Sequence, residues 1–82
     1  MKNLADDLMD IIEGVAGRID GSVFNSFGVF EQIVEQLMEQ YGGNRWVEAK
    51  EQSNDLPGGY VAFRSSVCNK LREKSKINFE SK

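Results

Sequence analysis

Eighty-two residues, no histidine and a single cysteine exclude the Ser-His-Asp and Cys-His catalytic arrangements, histidine metal sites, thiolate zinc sites and an internal disulfide. A chain of this length makes one domain, and a core this small supplies no more than ~3–5 kcal/mol, for which association is a common remedy. The net charge of −3 is uneven: residues 1–40 hold two bases against eight acids, and residues 41–82 hold eight bases against five acids, a split that suits internal complementarity, head-to-tail association or two faces with different partners.

The first helix is predicted over about residues 3–17. Asn3 is a good N-cap, and Asp6 and Asp7 fall in the first turn, where the helix dipole favours anions. Leu4, Leu8, Ile11, Val15 and Ile19 recur at helical spacing, and Asp6, Asp10 and Glu13 line a polar face. Gly14 and Gly17 each weaken the end of this helix by ~1 kcal/mol relative to alanine. They admit fraying into "RIDGS" or close packing against a neighbour.

Gly21 and Ser22 read as a turn and an N-cap for a second helix over about 23–41, with Gly28 a weak point that moves its start towards Ser26. Val23, Phe27, Phe30, Val34, Leu37 and Tyr41 alternate spacings of four and three, the seam of a left-handed helix packing. Gly42 or Gly43 closes the helix in the left-handed conformation.

Beyond the glycines, "NRWVEAK" is predicted as a short strand over about 44–50, with Trp46, Glu48 and Lys50 on one side and Arg45, Val47 and Ala49 on the other. "LPGG" signals a type II turn within 55–59. "YVAFR" fits either a hairpin strand or the start of a helical stripe of Tyr60, Phe63, Val67 and Leu71. A few extended residues after Gly59, then a helix over about 65–74, are expected. The tail over 77–82 is expected to be loose, with Ile77 and Phe79 available to dock. The fold class is mainly α, with an α+β variant open: an antiparallel helical hairpin, one or two short strands and a basic C-terminal helix in a single domain.

Glu31, Glu35 and Glu39 form a row on the flank of the second helix, where charges select a partner. Each exposed like-charge pair costs only ~0.2–0.5 kcal/mol, so the row is either solvated or faces bases. Internal candidates are Arg64, Lys70 and Lys74, and an external protein target with a basic surface is the favoured alternative. Phe27, Phe30, Val34, Leu37 and Tyr41 are expected at a homodimer interface, because two broad apolar stripes exceed what a two-helix hairpin covers. Residues 60–82 hold six bases and two acids, so Arg64, Lys70, Arg72, Lys74 and Lys76 are candidate nucleic-acid contacts. The Gly42-Gly43 and Gly58-Gly59 pairs lack the spacing of phosphate loops and dinucleotide fingerprints. No cofactor, metal or enzymatic activity is expected. Acids interrupt the apolar run that an export signal needs, and no run approaches the ~20 residues of a membrane span, so a cytoplasmic protein is expected.

The stretch "FEQIVEQLMEQYGGNRWVEA" resembles the dimerisation half of the Mor family of phage transcription activators, over about residues 4–50. The resemblance implies a helical dimer preceding a DNA-binding helix-turn-helix. This sequence departs from the family in lacking its Tyr-Ile-Pro strand pattern, and the residues after Lys50 do not read as a helix-turn-helix. The function expected is that of a small regulator or inhibitor acting through protein–protein contact, of a phage or mobile-element kind, with a DNA-binding transcription regulator as the alternative.

Overall fold

A computed structural model describes residues 4–80. Asn3, the expected first cap, and residues 81 and 82 of the expected tail lie outside them. A short helix α1 (Leu4–Asp7) runs into α2 (Met9–Ile19) with a one-residue break at Leu8, bridged by Ile12 N–H donating to Leu8 O at 2.8 Å. α2 continues through both glycines to Ile19, because Ile12, Val15, Ala16 and Ile19 are buried on one face. That packing outweighs the helix penalty of Gly14 and Gly17.

The residues after Gly21 do not begin the next helix. Val23–Phe24 form a two-residue strand, β1, and Ser26 is the N-cap of α3 (Phe27–Gly42), its Oγ accepting the Val29 N–H at 3.2 Å. Ser22 is therefore not the cap. Phe30, Val34 and Met38 form the fully buried line of α3.

The predicted strand at 44–50 is wrong. Gly43, at φ +54°, turns the chain out of α3 directly into another helix, α4 (Asn44–Ser53). An L side chain at that φ is strained, and the glycine permits a helix–helix corner with no intervening loop. "WVEAK" satisfies alternation and helical spacing equally, but Glu-Ala-Lys-Glu-Gln are good helix formers, and the buried set Trp46, Ala49, Ser53 has helical spacing. The buried Ser53 hydroxyl is satisfied by donating to Lys50 O at 2.6 Å.

Leu56–Gly59 form a turn closed by Gly59 N–H to Leu56 O at 2.9 Å, with Gly58 at φ 84°, ψ −10°. α5 (Gly59–Lys74) starts at once, so "YVAFR" is helical, neither extended nor in a hairpin. Phe63, Val67, Cys68 and Leu71 are buried along it. α5 packs against α1, α2, α3 and α4, and α2 also packs against α3, so α5 is the hub of the core. The chain then turns back, and β2 (Asn78–Phe79) pairs in parallel with β1, Val23 opposite Asn78 and Phe24 opposite Phe79. Residues 77–80 of the expected loose tail are thus docked. The described residues are mainly helical and compact, with five helices and two short strands among them and a radius of gyration of 12.3 Å, close to the ~12 Å expected for a chain of this length.

Candidate functional site

The acidic row of α3 faces bases of its own chain. Arg64 of α5 reaches both upper members, with Nε 3.8 Å from Glu31 and Nη1 3.5 Å from Glu35. The Tyr60 hydroxyl donates to Glu35 Oε2, and the Ser65 hydroxyl donates to Glu31 Oε2 at 3.3 Å. Glu39 pairs with Lys50 of α4 at 2.9 Å. Burial, reinforced by the hydrogen bond to Glu35, pushes the Tyr60 hydroxyl well above its ordinary pKa. Burial likewise raises the Cys68 thiol to about 12, with the Glu31 charge adding to the effect.

Of the three bases expected opposite this row, only Arg64 is there. Lys70 pairs with Asp6 at 2.8 Å and Lys74 with Glu13 at 3.4 Å, while Arg45 of α4 clasps Asp10 at 2.8 Å and the Asp7 carbonyl at 2.6 Å. The hydrogen bond from Arg45 holds the Asp10 carboxyl below its usual range. The polar face of the first helix, still exposed, is therefore ion-paired to α5 and α4.

The seam residues also turn inward. Phe30 and Val34 are fully buried within the single chain, and Phe27 and Leu37 pack partly against the same core. Tyr41 is 43% exposed, with the Arg18 guanidinium 4.0 Å over its ring. Phe30 and Val34 are thus core residues, with no surface to offer a second copy. Of the bases proposed for nucleic acid, Arg64, Lys70 and Lys74 are ion-paired, and Arg72 lies over the rings of Phe27 and Phe79 at 5.6 and 5.4 Å. Lys76 is exposed, and its backbone N–H donates to Asp20 Oδ1 at 2.7 Å.

What remains open is the outer face of α4. Both of its bases, Arg45 and Lys50, turn onto acids of α2 and α3. Its acids Glu48 and Glu51, and Asp55 just beyond, are exposed and have no ion-pair partner among the described residues. At 100° per residue, Asn44, Val47, Glu48 and Glu51 share the face opposite Trp46, Ala49 and Ser53. Val47 is 45% exposed there, and Leu56, at the start of the turn that follows, is 39% exposed. A shallow cleft between α1 and α4, lined by Leu4, Leu8, Arg45, Glu48 and Gln52 among others, borders this face. A strand reading of 44–50 scatters these residues over two sides. A helical reading of the same letters places Val47, Glu48 and Glu51 together, so the signal was present in the sequence.

No family model, curated protein or solved structure matches the chain. The segment "NRWVEA", which carried the strand in the resemblance to Mor-type activators, is helical.

Proposed function

We propose that the protein is a non-catalytic binding module that docks through the outer face of α4 onto a basic protein surface. One observation carries the reading: α4 pairs its bases with acids of α2 and α3 and leaves its own acids exposed and unpaired, around an exposed valine. Charges left unpaired on one face gain most from a partner of opposite sign, through faster encounter and fixed orientation. Val47 and Leu56 add the apolar contact that a purely electrostatic patch lacks. A regulator or inhibitor of this kind acts by covering its target's surface. The internal pairing of Arg64, Lys70 and Lys74 favours this reading over nucleic-acid binding, because a base already held by a carboxylate releases fewer counterions from phosphate.

The test is capture of partners from the native host by the wild-type protein, by Glu48→Lys/Glu51→Lys, and by the matched reversal Glu13→Lys/Glu73→Lys. Capture that weakens with salt and is lost only with the α4 reversal is expected. Equal capture by all three overturns the reading, and salt-sensitive retention of duplex DNA by the wild-type protein would favour the nucleic-acid alternative.

A further inference from the structure

After α5 the backbone is extended at Ser75 (φ −127°, ψ 150°), and residues 76–80 run alongside β1 as a strap. Main-chain bonds tie it down, among them Gly21 N–H to Lys76 O at 2.7 Å, Asn78 N–H to Ser22 O at 2.9 Å, and Glu80 N–H to Phe24 O at 2.9 Å. Its side chains alternate. Lys76, Asn78 and Glu80 are exposed, while Ile77 and Phe79 are half-buried. The Phe79 ring fills a cleft floored by Phe24, Phe27 and Phe30, at 6.4, 6.1 and 5.7 Å between centroids. With its amide nitrogen facing Glu80, Asn25 donates to that carboxylate at 3.1 and 3.3 Å.

This is the geometry by which an extended peptide is recognised at a strand edge: main-chain bonds supply affinity, and a cleft for alternate side chains supplies specificity. The strap contributes no fully buried side chain, and a two-residue ladder is not stable by itself. Segments with few buried contacts and exposed backbone bonds open locally at a lower cost than the helices beneath them.

We propose that the β1 edge, floored by Phe24, Phe27 and Phe30, is a peptide-binding slot that the chain's own strap holds closed. Its ligand in trans is an extended partner segment, parallel to β1, with an aliphatic residue, a spacer, an aromatic residue and an acid in succession. The strap in place displays that chemistry residue by residue, as Ile77, Asn78, Phe79 and Glu80. The tether gives the strap an effective concentration of about millimolar, so the slot is autoinhibited and opens only to a ligand that outcompetes it. This site is separate from the α4 face, and either reading can fail without the other.

The test uses the full chain and a labelled synthetic peptide with the sequence of residues 75–80. Phe79→Ala is expected to bind that peptide about tenfold more tightly than the wild type does, since the competing anchor is gone. Adding Phe24→Ala, or replacing the phenylalanine in the peptide by alanine, is expected to abolish the binding. A folded Phe79→Ala protein that binds no better than wild type overturns the proposal. Amide exchange on the wild type gives a second test that does not depend on that variant folding. The Asn78 and Glu80 amides are expected to exchange at least about a hundredfold faster than those of Val67 and Leu71; equal rates overturn the proposal, because the strap then opens only with the whole domain. A wild-type dimer that has exchanged straps also overturns it, by making a second copy the occupant.

Discussion

The Arg64 guanidinium holds its Nη1 3.5 Å from Glu35 Oε2, the same oxygen to which the Tyr60 hydroxyl donates. Its Nε, buried and without a hydrogen bond of its own, lies 3.8 Å from Glu31. One base thus serves two carboxylates across the contact between α3 and α5. Without it, two acids and a phenol face each other with no compensating charge. Arg64→Ala is expected to destabilise the fold by about 1–2 kcal/mol, less than the 3–5 kcal/mol of a fully buried broken pair because this cluster is partly exposed. Chemical denaturation of Arg64→Ala alone, and combined with Glu35→Gln, checks this. A coupling below about 0.3 kcal/mol would place the pair with ordinary surface ion pairs.

Cys68 and Tyr60 set the response to alkali. Both have folded-state pKa values raised by burial, the thiol to about 12. The folded chain keeps these protons at a pH where the unfolded chain has released them, so raising the pH favours unfolding. The contribution of the thiol is intact below its ordinary value near 9.0 and is lost as the pH climbs through about 12. Loss of the Tyr60 contribution begins only above its ordinary value of 10.0. Denaturation midpoints from pH 8 to 11 are expected to fall, with Cys68→Ala flattening the decline that starts near 9 and Tyr60→Phe the part above 10. Alkylation of Cys68 in the native protein is expected to be slow, limited by opening of the fold.

Trp46 and Val47 are adjacent in sequence and opposite in consequence. Trp46 is fully buried, stacked at a tilt on Phe63 with centroids 5.4 Å apart, and its indole N–H has no hydrogen-bond partner among the described residues. Its contribution is therefore packing. Trp46→Ala is expected to cost about 3–5 kcal/mol, and Val47→Ala to stay within about 0.5 kcal/mol. Thermal unfolding of both variants tests the face assignment of α4, and a destabilising Val47→Ala would contradict it.

Gly58 carries a steric requirement. Its φ is +84°, and a Cβ there would stand 2.6 Å from the Cβ of Ala62. Gly58→Ala is expected to destabilise by about 1–3 kcal/mol through strain at the entry to α5. Gly17→Ala, on the outside of α2 with nothing within 4 Å, is expected to stabilise by up to about 1 kcal/mol. Opposite signs in a melting experiment are the expected outcome.

The sequence by itself determined the mainly helical character, through the helical spacing of Leu8, Val15 and Ile19 and of Phe30 and Val34, all of which the fold buries. It also showed an acidic first half and a basic second half, a split that fits internal pairing as well as association or separate partners. It did not determine which acid meets which base. Glu35 meets Arg64, while Lys70 and Lys74 belong to Asp6 and Glu13, a choice made by how α5 sits between its neighbours and invisible to spacing along the chain. Nor did it decide between strand and helix at 44–53, where "WVEAK" fits a period of two as well as a period of 3.6. Burying Trp46, Ala49 and Ser53 against α3 and α5 selects the helix, and that selection alone turns Glu48 and Glu51 outward. The pairing of Phe24 with Phe79, 55 residues apart in sequence, is decided in the same way: a two-residue ladder has no local signal, and it exists because three phenylalanine rings on β1 and α3 leave a cleft that a fourth can fill.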